Sequence, residues 1–345
     1  MKRIVFFNLA IMPYHVSVFK ELSIMQCEQH VFWYAKAPKT SYHAPQIEDL
    51  TQYNRFDYST ALDLIKIVKA ISPQLVVCSG WTDSIYNKAS SYFKNQGIPT
   101  IVMSDTQWRG GKQWYNVLTS HFRIKRYFSY FFAAGILQFD YARKLGFSPE
   151  QILMHCLTGD VNLFKKVDIY KKKDNYPRRI LYVGRFVEEK ALDVLVNAWN
   201  RIENKNGWVL ELVGDGPLKN QIGQTSDIII KDFMPQEKLI IEAQNAGCFI
   251  LPSRFEQWAL VIHEFAAAGM PLLCSKRCGA AKHFLINGYN GFEFNPNKIE
   301  TVIDSIKRIL YMSCDELILM SEHSRELSKR VTPEIVATTL LNVIK

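Results

Sequence analysis

The sequence is short of several features, and each shortage excludes something. No apolar run reaches the roughly 18 residues that a membrane-spanning helix needs; the longest candidate, Tyr127 to Phe139, is too short and carries Ser129 and Gln138. The basic opening Met1-Lys2-Arg3 is followed only by Ile4 to Phe7 before Asn8, so it reads as a first strand rather than a secretory leader. The seven cysteines (27, 78, 156, 248, 274, 278 and 314) are odd in number and scattered, which is a poor disulfide framework. Cys274, Cys278 and His283 lack the second ligand pair of a structural zinc site, so ordinary thiols are expected there. Glycine is missing where a dinucleotide fingerprint would need it: the first strand runs into Asn8-Leu9-Ala10-Ile11-Met12-Pro13, without Gly-x-Gly-x-x-Gly, which argues against an oxidoreductase. Finally, no acid lies between Asp105 and Asp140, a stretch that holds Arg109, Lys112, Arg123, Lys125 and Arg126.

What is present is globular. The chain has 345 residues, 48% apolar and 22% charged, enough for two domains with sizeable cores. There are 42 Lys+Arg against 33 Asp+Glu, a net charge of +9. The excess is uneven: residues 1–160 hold 17 basic and 11 acidic side chains (+6), which leaves 25 and 22 (+3) for the rest. Such an excess fits nucleic acid, an anionic membrane surface or a phosphorylated substrate. No zinc finger, helix-turn-helix or aromatic RNA-binding signature is visible, so a nucleic-acid-binding protein is the least favoured of these readings.

Short apolar runs alternate with helical patterns. Arg3–Phe7, Val31–Tyr34, Leu75–Cys78, Thr100–Met103 and Gly135–Gln138 read as strands, with helices at Val16–Met25 and Leu62–Ala70 between them. Residues 165–179 are polar, charged and stopped by Pro177, and read as an interdomain linker. The alternation then restarts with strands at Ile180–Val183, Leu210–Val213, Ile228–Ile230, Cys248–Leu251 and Leu272–Ser275. Helices are expected at Ala191–Trp199, at Lys238–Ala246, and from near Val261 to a stop at Gly269 and Pro271. Two doubly wound α/β domains follow from this pattern. In such sheets ligands sit beyond the carboxyl ends of the strands, where the chemistry-bearing motifs fall.

Three motifs stand out. Gly184-Arg185-Phe186-Val187-Glu188-Glu189-Lys190 follows a strand and opens a helix; Arg185 and Lys190 are placed to meet an anion, and a diphosphate is the natural ligand. Gly214-Asp215-Gly216-Pro217 is a tight turn whose glycines read as backbone geometry rather than ligand contact. The third runs from Leu251 to Glu264. A loop presents Glu256, and a helix begins with Glu264 in its first turn, where the free N–H groups of Ala259, Leu260 and Val261 can face an anion. Two carboxylates near one helix start can accept hydrogen bonds from sugar hydroxyls.

Together with the run from Gly269 through Cys278-Gly279 to Phe292, these motifs resemble the retaining glycosyltransferases of the GT-B fold, family 4, in order over residues 179–294. The resemblance is weaker in the first half, through Pro13-Tyr14-His15, Ser79-Gly80-Trp81 and Asp160 with Phe164. It implies two Rossmann-like domains facing across a cleft: an acceptor-binding domain over residues 1–164, a nucleotide-sugar-binding domain over 180–331, and a last helix within 332–345 crossing back to the first. It also implies no cofactor and no metal, with Arg185 and Lys190 neutralising the leaving diphosphate. Glu264 would bind the ribose hydroxyls and Glu256 the transferred sugar. Gly184, Gln257 and the backbone from Trp258 to Val261 would hold sugar and phosphate, and Asp232-Phe233-Met234 would border the base. Tyr14, His15 and Asp105 are the acceptor-side candidates, Asp105 with a catalytic role.

Two departures from the pattern are visible. Ala259 stands where the family has glycine, which strains the backbone if that position needs a positive φ. Ser104-Asp105-Thr106 stands where the family often has a histidine.

The implied activity is transfer of a hexose, with retention, from a nucleotide-diphosphate sugar to a hydroxyl of a lipid-linked glycan in surface polysaccharide assembly. A UDP-sugar is favoured and a GDP-sugar is the other option. The implied location is cytoplasmic, with a peripheral place on the inner membrane face as an option. The competing reading is a nucleotide-sugar epimerase or hydrolase on the same fold. The stretch from His121 to Phe132 interleaves basic and aromatic side chains. It reads either as a contact with an anionic membrane, together with Arg109 and Lys112, or as a buried helix with a basic edge.

Overall fold

The computed structural model describes residues 1–35 and 50–344. The chain divides into two compact units, Met1–Thr158 with Val331–Lys345, and Gly159–Arg330. Each is built on one sheet, parallel throughout.

The first sheet holds β1 (Lys2–Asn8), β2 (Cys27–Trp33), β3 (Leu50–Asn54), β4 (Leu75–Ser79), β5 (Thr100–Ser104), β6 (Tyr130–Ala133) and β7 (Ile152–Met154), in the order β3-β2-β1-β4-β5-β6-β7. The second holds β8 (Arg179–Val183), β9 (Val209–Val213), β10 (Ile228–Lys231), β11 (Cys248–Leu251), β12 (Leu272–Ser275) and β13 (Gly291–Phe294), in the order β10-β9-β8-β11-β12-β13. Both orders reverse beside the unit's first strand, the switch point at which doubly wound sheets bind ligands. The central strands are apolar on both faces because helices cover both; Val5, Phe7, Val76, Val102 and Phe131 are all buried in the first core. There Phe7 stacks on Tyr86 with centroids 4.8 Å apart.

Several elements differ from the sequence reading. Gly135–Gln138 is not a strand: the strand is β6, just before it, and Gly135 precedes the helix Ile136–Lys144. The apolar run was long enough for either, but Gln138, Tyr141 and Ala142 are buried at helical spacing. The strand expected at Val31–Tyr34 begins at Cys27. Its polar first half escapes the hydrophobic pattern because Gln29 is buried against the Phe19 carbonyl, donating at 2.8 Å. The stretch from His121 to Phe132 is neither one buried helix nor one exposed face: it breaks into a short turn, the helix Ile124–Tyr127 and β6, with Ile124, Phe128, Phe131 and Phe132 in the core. The polar strand β3 and the three-residue β7 carried no pattern.

Residues 165–179 lie inside the second unit and are not all solvated. Lys172 is buried, its Nζ donating to the carbonyls of Ala243 and Ala246 at 2.7 Å each. Burial pushes its ammonium down to about 7. The final helix, Pro333–Asn342, belongs to the first unit. It buries Val336, Ala337 and Leu340 and packs against the helix Pro13–Ile24, and the Lys2 ammonium donates to the Leu341 carbonyl at 2.9 Å.

Candidate active site

The second unit gathers most of the expected residues beyond the carboxyl ends of β8 and β11. After β8 the chain turns at Gly184, passes Arg185, and makes a short 3₁₀ turn, Glu188–Lys190, that delivers Lys190. After β11 the loop delivers Glu256. The Lys190 ammonium and the Glu256 carboxylate pair directly, both half-buried, and the Ser253 hydroxyl donates to the same Glu256 oxygen at 2.9 Å. The Glu256 backbone is pinned from the other side: its N–H donates to the Arg277 carbonyl and its carbonyl accepts from Gly279 N–H. The segment after β12 is therefore a support for Glu256.

Arg254, which sequence reasoning passed over, ties the two loops together. Its N–H donates to the Glu189 carbonyl at 2.8 Å, and its guanidinium reaches the Glu188 carbonyl and both oxygens of Asp193 at 3.0 and 2.6 Å. The Arg254 bond holds the Asp193 carboxyl below its ordinary range. A bidentate pair fixes orientation as well as distance. No spacing rule links Arg254 to Asp193, because their loops meet only in the folded sheet.

Glu264 lies in the second turn of the helix Leu260–Ala267, not the first as expected, since the helix starts at Leu260. It is buried, and its Oε1 accepts from Gln236 Nε2 at 2.5 Å. Burial pushes its carboxyl up to about 7; the Asp160 carboxylate adds to the rise and the Gln236 bond opposes it. A Cβ on Gly159 would sit 2.8 Å from Glu264 Cγ, so the chain crosses Glu264 at a point only glycine permits. Ahead of the helix, Ala259 has φ 77° and ψ 77°, the left-handed conformation that its glycine-like position in the motif suggested. The first-turn N–H groups of Leu260 and Val261 have no intrahelical acceptor. Leu260, Val261 and Gln257 are half-buried. Trp258 is buried, and its carbonyl accepts from Ala280 N–H at 2.8 Å, which ties this loop to the segment after β12.

Gly184 is closely packed by protein. Its N–H donates to the Val213 carbonyl at 3.1 Å, and what approaches it closely is protein backbone: a Cβ on Gly214 would lie 1.9 Å from the Gly184 carbonyl oxygen. The Gly214-Asp215-Gly216-Pro217 glycines are thus needed for contact between two loops rather than for a turn alone. Arg185 is exposed, and its side chain makes no ion pair among the described residues. Asp232 is paired with Lys219, beside an exposed Phe233 and a half-buried Met234.

In the first unit, Tyr14 and Asp105 fall beyond β1 and β5 and are close enough that the Asp105 carboxylate, after burial, raises the Tyr14 hydroxyl above its ordinary range. His15 has a structural task. It is buried, its Nδ1 accepts from Met12 N–H at 3.0 Å at the helix start, and burial pushes its imidazole down to about 3, so it is neutral. His155, beyond β7, is a histidine that no motif flagged. It is half-buried, has φ 73°, and is pushed below its ordinary range by burial.

Comparison with known proteins finds relatives of the second unit and of the fold. The family model for glycosyl transferases group 1 matches residues 165–329. An uncharacterized glycosyltransferase of Methanocaldococcus jannaschii is 21% identical over 175 residues, 49% of this chain and 45% of that protein. A glycogen synthase of Mycobacterium tuberculosis is 25% identical over 168 residues, 46% of this chain and 39% of that protein. The chain thus spans less than half the length of these curated relatives. The structure of Anabaena HepE in complex with UDP and glucose superposes with a TM-score of 0.73 over 99% of each chain at 14% identity. The apo form of the lipopolysaccharide outer core galactosyltransferase WaaB gives 0.70 over 100% of this chain and 99% of that one, at 16% identity. Two parallel Rossmann-like sheets with these neighbours define the GT-B fold. The likeness to the glycosyl transferases group 1 model spans residues 165–329, just under half of the chain.

Proposed function

We propose that the chain transfers a hexose, with retention of configuration, from a nucleotide-diphosphate sugar to a hydroxyl of a glycan, without a metal. The observation that carries this reading is the half-buried Lys190–Glu256 pair together with the buried Glu264 in the second turn of the helix that follows, both within the matched region. A carboxylate on each side suits a sugar hydroxyl and a ribose diol. The cations Lys190 and Arg185, with the N–H groups of Leu260 and Val261, suit a diphosphate. A UDP-sugar is the favoured donor: a structural neighbour is described as a complex with UDP and glucose, although the likeness itself is one of fold.

In the transfer, the bond from the sugar's anomeric carbon to the diphosphate oxygen breaks. The acceptor hydroxyl forms the new bond on the same face, and its proton passes to the departing phosphate oxygen. No protein nucleophile is needed, and the chain contributes positioning and stabilisation of charge on the diphosphate. Tyr14 and Asp105 are the acceptor-side residues. The acceptor we propose is a lipid-linked glycan of a surface polysaccharide, met at the inner membrane face.

The test is turnover. Losing one charge-stabilising donor typically costs ~10²–10³ in rate. Lys190→Ala and Arg185→Ala are expected to lower turnover by that order with circular dichroism unchanged; near wild-type rates in both would overturn the assignment. Incubation with a UDP-sugar alone separates the rival: release of an isomerised sugar without acceptor would indicate an epimerase.

A further inference from the structure

Part of the stretch without acids, between Asp105 and Asp140, stays at the surface of the first unit, although Trp114 packs edge-on against Trp108 with centroids 5.1 Å apart. The short helix Gln113–Thr119 buries none of its residues, yet it and the turn after it carry Trp114, Tyr115, Leu118 and Phe122, exposed by 55%, 62%, 76% and 74%. Trp114 and Leu118 are one helical turn apart, and Phe122 continues the row. Single exposed apolar side chains are ordinary, whereas three in one row with Tyr115 beside them are a contact surface.

We propose that this row seats the protein peripherally on an anionic lipid bilayer. Its surroundings choose that occupant. Exposed Lys112, Arg109 and Arg126 flank the row, and the Arg123 guanidinium lies 5.2 Å from the Tyr115 ring centroid, at the level where a headgroup phosphate would meet it. Aromatic side chains between cations match the interfacial layer of a membrane, with rings among the acyl ends and charges among the phosphates. A second copy of the chain fits poorly, because self-pairing would set these cations against each other with no acid on the stretch to compensate. Among the described residues no helix is long and apolar enough to cross a membrane, so the contact is superficial. Lys125, expected among the membrane-facing cations, is drawn back into the fold: its ammonium donates to the Gly146 carbonyl at 2.6 Å. The apolar members also differ from the His121–Phe132 reading, since Phe128, Phe131 and Phe132 are core and the exposed row lies mostly before His121.

The proposal rests on the surface alone and not on the donor chemistry, and the assay uses no nucleotide sugar. The full chain would be sedimented with vesicles of phosphatidylglycerol and phosphatidylcholine, and with phosphatidylcholine alone. Binding is expected to the first, at least about tenfold weaker to the second, and to fall with added salt. L118S/F122S, which removes two highly exposed side chains, is expected to weaken binding about tenfold or more with an unchanged melting midpoint. Arg126→Gln is expected to weaken it roughly fivefold. Absent binding by the folded chain, equal binding to both vesicle types, or binding insensitive to L118S/F122S would overturn the proposal. So would a dimer in light scattering that L118S/F122S converts to monomer, which would make the occupant a second copy.

Discussion

At the scale of single residues, two features carry consequences for experiment. Glu264 is uncharged in acid for longer than an ordinary carboxylate, because burial pushes it to about 7. Between the ordinary carboxylate range and about 7 the folded chain keeps a proton that the unfolded chain has released. The stability it contributes is therefore fully present in acid and is lost as pH rises through about 7. Donor binding runs the other way, since a carboxylate accepts two hydroxyl hydrogen bonds. Affinity for a nucleotide sugar is expected to rise about tenfold from roughly pH 6 to roughly pH 8, and calorimetry in buffers of different ionisation enthalpy should show proton release. Glu264→Gln is expected to flatten both. The second feature is Ala259, left-handed at φ 77°. An L-residue there costs about 1–2 kcal/mol relative to glycine, offset in part by the greater freedom of glycine in the unfolded chain. Ala259→Gly is expected to stabilise by about 0.5 kcal/mol, read as a small rise in the urea midpoint at constant m-value.

At the scale of elements, the site is two loops held in register. Arg254 reaches across to Asp193 and to the Glu188 carbonyl, fixing the loop that bears Glu256 against the turn that bears Lys190. Both side chains are partly exposed, so the pair adds little to stability, under about 1 kcal/mol. Its effect is on alignment. Arg254→Ala is expected to lower kcat/KM roughly tenfold while the melting midpoint moves little, and Asp193→Ala to do the same. The double variant should cost no more than either alone, because residues acting as one unit are not additive. A large loss of stability, or additive losses in rate, would contradict this role. The segment after β12 adds a second support, since its backbone bonds to the backbone of Glu256 on both sides.

At the scale of the whole molecule, the chain ends on the unit where it began. The helix Pro333–Asn342 completes the first unit by burying Val336 and Leu340. At about 1.5–3 kcal/mol for each fully buried side chain of this size, ending the chain after Arg330 is expected to destabilise the first unit by about 4 kcal/mol. Hydrogen exchange read by peptide would then show faster exchange in β1 and the helix Pro13–Ile24, with β8 to β12 unchanged. Equal loosening of both units would contradict the division.

Much of this was legible before folding. Alternating apolar runs and helical spacing dictate doubly wound α/β sheets, and strands buried on both faces leave a strong local signal, so β1, β4, β5 and β8 to β12 were visible. The motif residues were legible for the same reason: Glu256, Glu264 and Lys190 each follow a strand end, and glycines mark where backbones must approach. What depended on distant neighbours was not legible. His15 and Lys172 look like free polar side chains in sequence and become buried bonds only when a helix start and two carbonyls close on them. Gly135 could begin a helix or a strand until packing chose. Arg254 found Asp193, and Trp114, Leu118 and Phe122 found no cover, only in the folded chain. The sequence by itself determined the class of fold and the residue types of the candidate site, because both are written in local periodicity and spacing. Tertiary structure decided which of those side chains support the backbone, which stay accessible, and which apolar side chains remain exposed, because burial and pairing belong to the whole chain.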